Sequence, residues 1–162
     1  MKIESELARE AAQLVTHARA AILAVADAQG QPHTMWMTPC VTSDLEEIIS
    51  ITAPSSQKVA SLRQNPRAEW MFASTSLETL VYLSGHTRII EGVAAKRYWD
   101  RVPGKSQAYY RKYCAMEDHR LFSVIRTEVD RIELCKPCSY TKTVLFTREV
   151  RPAPHDYCSP EI

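Results

Sequence analysis

The chain has 162 residues, 45% of them hydrophobic and 24% charged, with a formal net charge of +1. That length suffices for one domain with a real core, and the composition is ordinary for a globular protein. The near-zero charge argues against a basic nucleic-acid surface or an acidic tail, and no apolar run approaches the ~18 residues that span a membrane.

The N-terminal run MKIESELARE is acidic early and lacks an apolar h-region, so no signal peptide is expected and the expected compartment is the cytoplasm. The five cysteines, Cys40, Cys114, Cys135, Cys138 and Cys158, are an odd count that argues for reduced thiols. Only Cys135 and Cys138 have CxxC spacing. A zinc site needs two further ligands and a dithiol motif belongs at a strand-to-helix turn. The plainer reading is two semi-buried thiols near a strand end.

In chain order, Leu7, Ala11, Leu14, Val15 and Ala18 recur at helical spacing behind Ser5 as a plausible N-cap, predicting an amphipathic helix over Glu4–Arg19. Ala20–Ala26 is a short apolar run read as a core strand. Asp27-Ala28-Gln29-Gly30 supplies turn chemistry, and His33–Thr38 returns as a second strand ended by Pro39. Met35, Trp36 and Met37 suit core or interface packing, or the floor of a site for a flat aromatic ligand.

The stretch Ile49–Pro66, ISITAPSSQKVASLRQNP, organises the rest. Its β-branched run breaks at Ala53-Pro54 and restarts as a short helix behind Ser55-Ser56, and Asn65-Pro66 stops that helix. A helix start leaves unpaired N–H groups that favour an anion, phosphate being the commonest biological one. Lys58 in the first turn opposes the helix dipole, a conflict that a bound phosphate removes. An ordinary capped helix with a solvated lysine fits the same residues.

Arg67–Ala73 reads as a strand, and Thr79–Glu91 as a long strand with a bulge or bend at Gly85, the device by which small barrels turn corners. Ala94–Asp100 and Gln107–Tyr113 read as helices, Leu121–Leu134 as another long strand, and Thr143–Phe146 as a possible last one. Arg151–Ile162 reads as an irregular tail after a single domain over residues 1–150. Short helices set between hairpin-like strands, with no strand–helix–strand crossover, predict a mainly β antiparallel barrel with helical decoration.

The order of these segments resembles the pyridoxamine 5′-phosphate oxidase-like FMN-binding split-barrel superfamily, in its general-stress-protein-26-like branch. The residues carrying the resemblance are the hairpin AILAVADAQGQPHTMWM, the run ITAPSSQKVASLRQNPRAEWMF, the strand VYLSGHTRIIEG, the pair Tyr98-Trp99 and the strand FSVIRTEVDRIEL. Together they span roughly residues 5 to 135, and the most specific spacing is Ser56, Lys58, Leu62 and Asn65-Pro66.

The resemblance implies a six-stranded antiparallel split barrel that dimerises and holds FMN at the interface. It implies that Ser56 and Lys58, with Gln57 between them, hold the FMN phosphate, that Thr52 and Ala53 line the flavin, and that Trp36, Met37 and Thr38 lie against the ring. Trp99 is the candidate that approaches from across the dimer. Relatives often carry a basic residue where this chain has Gln57, which implies weaker phosphate affinity. The tail has His155-Asp156 but no Arg-x-His segment, so pyridoxamine phosphate oxidation itself is not expected.

The implied activity is an FMN-dependent oxidoreductase acting on a small soluble molecule with NAD(P)H as donor. A non-catalytic flavin-binding or redox- and stress-sensing protein, or a haem- or F420-binding barrel, is the alternative. His33, His86 and His119 are candidate proton donors or plain structural histidines, and Arg88 faces a phosphate or forms a surface pair. A homodimer is expected, with Met35, Trp36, Trp70 and Tyr82 offering apolar surface for it.

Overall fold

The computed structural model describes residues 5–114 and 121–148; the tail 151–162, with Cys158 and His155, and also His119 lie outside them. Helix α1 (Glu6–His17) starts where expected, since the Ser5 hydroxyl accepts the N–H of Ala8 at 3.1 Å. Its Ala8, Ala11 and Val15 are buried against the sheet.

Eight strands form one antiparallel, curled sheet, a half-barrel: β1 (Ala21–Ala26), β2 (Pro32–Met37), β3 (Cys40–Val41), β4 (Glu47–Thr52), β5 (Arg67–Ala73), β6 (Leu80–Ile90), β7 (Ser123–Lys136) and β8 (Thr141–Thr147). Their order is β2-β1-β5-β6-β7-β4-β3, with β8 also on β7. Strands β1, β2, β4, β5, β6 and β7 are the six-stranded frame expected from the sequence. The possible last strand forms as β8, and β3 is a two-residue addition.

Strand β7 is where the sheet splits. Strand β6 runs along it from Ile90 opposite Val124 to Leu80 opposite Cys135. Strand β4 pairs with residues 123–128 of β7 and β8 with residues 131–136, so two strands divide its other edge. Gly85 makes the bend in β6 possible. The register shifts between Ser84 and Gly85, and a Cβ at Gly85 would sit 2.1 Å from the Glu128 carbonyl oxygen.

Inside the curl the core is built from Leu23, Leu62, Trp70, Phe72, Leu83, Ile125 and Ile132, with Val15 of α1 against them. Trp70 is 0% exposed, so it belongs to this core and does not offer dimer surface as its sequence context suggested. Its indole N–H donates to Thr127 Oγ1 at 3.0 Å, and Thr127 shares a 2.9 Å hydrogen bond with Thr87, which satisfies the polar atoms buried there.

The opposite face of β4 and β7 is covered by helices α3 (Val93–Trp99) and α4 (Gly104–Cys114). Ile49, Ile51, Phe122 and Val124 form a second apolar cluster with Ala95, Val102 and Tyr110. Strand β4 is buried on both faces, so Ile48, Ile49 and Ile51 do not alternate with exposed polar residues. No helix among the described residues is long and apolar enough to cross a membrane.

A candidate anion site at the end of strand β4

Strand β4 ends at Thr52, and the turn Ala53–Ser56 closes with the Ser56 N–H donating to the Ala53 carbonyl at 3.1 Å. Helix α2 (Gln57–Gln64) then packs Val59 and Leu62 into the core, fixing its first turn beside the strand end. Ser56 holds the N-cap position, yet its hydroxyl makes no capping hydrogen bond; it lies 3.4 Å from Thr52 Oγ1 instead. The N–H groups of Gln57 and Lys58 find no acceptor among the described residues.

Lys58 reaches back over this turn, and its Nζ donates to Thr52 Oγ1 at 3.2 Å. The ammonium is half-buried and no described carboxylate pairs with it. Burial alone pushes its pKa below the ordinary lysine value. A partly desolvated cation, a hydroxyl that caps no backbone N–H and two free amide donors converge on one spot. That donor set suits an anion with several acceptor oxygens, a phosphate in particular.

A cleft of about 300 Å³ opens beside this turn, lined by Val25, His33, Thr34, Met35, Gln57, Lys58 and Ser61. Of the three histidines the sequence offers as proton donors, the fold makes His33 a wall of this cleft. Its Nε2 lies 3.0 Å from Asp27 Oδ2 and 3.5 Å from Gln57 Nε2. The usable signal was the strand period, which puts His33 on the same face of β2 as Met35 and Met37. His86 and Arg88 are exposed on β6 instead.

The structure thus brings Thr52, Ser56, Gln57 and Lys58 together, with Ala53 in the connecting turn. The other sequence candidates sit apart. The pleat of β2 buries Met37 in the core and leaves Trp36 74% exposed on the other face, so within one chain they do not line the same surface. Thr38 follows β2; its hydroxyl is hydrogen-bonded to the Tyr110 hydroxyl of α4, and its carbonyl accepts from Ser50 Oγ at 3.1 Å. Trp99 packs on Phe122 with ring centroids 5.4 Å apart, and the Arg111 guanidinium lies 5.6 Å from its ring centre.

Thr38 also borders a larger cleft of about 660 Å³ between α1, Cys40 and the start of α4. Burial pushes the Cys40 thiol up, so it is poorly suited to act as a thiolate. Cys135 is half-buried and Cys138 exposed at the turn between β7 and β8.

A curled antiparallel half-barrel with four helices is a split barrel. The chain belongs to the pyridoxamine 5′-phosphate oxidase family, whose profile matches residues 7–136. Among solved structures it is similar to a protein related to general stress protein 26 from Clostridium acetobutylicum, at 15% identity and a TM-score of 0.70, over 85% of this chain and 92% of that one. A pyridoxamine 5′-phosphate oxidase-related, FMN-binding protein from Nostoc punctiforme matches at 13% identity and a TM-score of 0.61, over 94% of this chain and 98% of that one. A heme binding protein from Mycobacterium smegmatis matches at 21% identity and a TM-score of 0.66, over 89% of this chain and 59% of that one. These likenesses establish the fold. No curated protein matches the sequence.

Proposed function

We propose that the chain is an FMN-binding flavoprotein whose cradle at Thr52, Ser56 and Lys58 holds the FMN phosphate. The observation that carries this reading is Lys58, a half-buried cation bonded to Thr52 and left without a carboxylate among the described residues. Lys58 neutralises the phosphate, Thr52 aims the ammonium, and Ser56 with the free N–H groups of Gln57 and Lys58 donates to the remaining oxygens. Bound FMN supplies the redox chemistry, and the chain supplies binding and orientation.

Ala53 lies in the cradle's own turn, and Thr38, held by the Tyr110 hydroxyl, is tied to β4 by the Ser50 hydroxyl at 3.1 Å. Trp36 and Trp99 lie on different surfaces of one chain, apart from the cradle, and a homodimer would reconcile them with one site. Exposed Trp36, next to Ile22 and in line with Met71 and Tyr82 across the sheet, supplies an apolar face for it. Trp36→Glu is expected to leave the protomer folded and shift the solution mass to that of a monomer. In this reading the protein works in the cytoplasm as an FMN-dependent oxidoreductase on a small soluble molecule, with NAD(P)H as donor.

The test is the absorption spectrum of the purified protein, before and after titration with FMN. Flavin bands, or saturable quenching of FMN fluorescence, are expected. A Soret band would assign haem instead, and a colourless protein that takes up no FMN would overturn the reading. Bleaching of the bound flavin by NAD(P)H separates an oxidoreductase from a non-catalytic flavin or stress sensor.

A further inference from the structure

The cleft beside the cradle has one wall whose charge can change. Asp27 sits in the β1–β2 turn, where its Oδ1 accepts the N–H groups of Gln29 and Gln31 at 3.0 and 2.9 Å. Those bonds pin the carboxylate in place. Its other oxygen, Oδ2, meets His33 Nε2 at 3.0 Å, and the same nitrogen lies 3.5 Å from the Gln57 side chain at the start of α2. His33, Gln57 and Lys58 all line the cleft of about 300 Å³ beside the cradle.

The other lining residues, Val25, Thr34, Met35 and Ser61, carry no charge near neutral pH. Among the described residues, Lys58 across the cleft and Asp27 in the turn are therefore the charged groups beside His33. The His33 hydrogen bond, followed by those from Gln31 and Gln29, holds the Asp27 carboxyl below the usual carboxylate range, so it remains an anion.

We infer that His33 sets the charge at the mouth of the anion cradle, cancelling Asp27 when protonated and leaving the carboxylate to oppose the anion when neutral. This rests on the phosphate reading above and extends it to regulation of the same site. An imidazole changes charge between about pH 5 and pH 8, whereas an arginine or lysine beside Lys58 would not. With Gln57 uncharged, His33 is the residue through which acidity reaches ligand affinity. It is a charge-setting residue, acting through Asp27. By linkage, a bound phosphate must also raise the proton affinity of His33.

The experiment is FMN titration of the full chain, followed by flavin fluorescence, at about pH 6 and about pH 8. Wild type, His33→Gln, Asp27→Asn and Lys58→Met are compared after circular dichroism confirms each is folded. The second ionisation of the phosphate, near pH 6, acts on every variant alike, so the affinity ratio between proteins is the readout. Wild type is expected to bind about three- to tenfold tighter than His33→Gln at the lower pH and about equally at the higher one. Asp27→Asn should tighten binding at the higher pH by a similar factor, the opposite sign.

Nuclear magnetic resonance gives a second reading. Inorganic phosphate should raise the titration midpoint of the imidazole signal that is missing in His33→Gln, and should leave it unmoved in Lys58→Met. A His33→Gln ratio that is the same at both pH values, or a midpoint that phosphate does not move while FMN binds, overturns the role of His33. Failure of wild type to bind either FMN or inorganic phosphate overturns the phosphate reading itself.

Discussion

Lys58 and Arg126 are both partly buried cations beside β4, and they are treated in opposite ways. Arg126 on β7 is hydrogen-bonded to Glu47 of β4 and, at 2.6 Å, to Glu128, and Glu47 also takes Arg101 from the segment between α3 and α4 at 2.6 Å. Burial alone would lower the Arg126 pKa, but its bonds to Glu47 and Glu128 outweigh that and raise it. Lys58 has no such carboxylate among the described residues, and burial lowers its pKa unopposed. A charge that the fold pairs internally is part of the architecture. One left half-desolvated and unpaired is a standing cost to the free protein that an incoming anion relieves.

The largest stability effect is therefore expected at the paired site. Glu47→Gln strands Arg101 and leaves the less exposed Arg126 with Glu128 alone, and should cost about 1–3 kcal/mol in urea unfolding, discounted for partial exposure. The acid limb sharpens this. Burial pushes Glu47 up, but Arg101 and Arg126 bring it below the usual carboxylate range. Its contribution is thus present above that range and is lost as pH falls through the folded value. Glu47→Gln should show a shallower acid loss than wild type. Equal stability of the two proteins would break the contrast.

At the unpaired site the sign reverses. Lys58→Met should leave the free protein as stable as wild type or slightly more so. Because the folded pKa of Lys58 lies below its unfolded value, the unfolded chain keeps that proton to higher pH. Wild type should gain stability relative to Lys58→Met as pH climbs through the folded value, and saturating phosphate should reduce that gain. Destabilisation by Lys58→Met near neutral pH would show that the lysine serves the fold. The smallest effect is expected at Tyr110→Phe, which removes the hydroxyl pair with Thr38 at the edge of α4 and should cost about 1 kcal/mol or less by thermal unfolding.

The frame of the fold was legible because its signals are local. Ser5 caps α1, Gly85 bends β6 and Asn65-Pro66 ends α2, each a property of a few neighbouring residues. The cradle was legible for the same reason, since Thr52, Ser56 and Lys58 lie within one strand–turn–helix unit. Trp70 was misplaced because strand alternation says which residues share a face but not which face is inside. The turn before β4 gave no clear cue either: buried Leu45 adopts φ 59°, a left-handed conformation for which an apolar residue is a poor signal. His33 was visible only as one histidine among several. Its link to Gln57 joins residues 24 apart and exists only once β2 is laid beside α2.

The most direct test of the cradle compares FMN with riboflavin, which carries the same ring without the phosphate, in equilibrium titrations of wild type and Lys58→Met. If Lys58 and its turn hold the phosphate, wild type binds FMN more tightly than riboflavin by at least about tenfold, as charge-assisted hydrogen bonds of this kind allow. Lys58→Met should then bring the two ligands close to equal by weakening FMN alone. Equal affinity of wild type for both ligands, or an FMN preference that survives Lys58→Met, would contradict it.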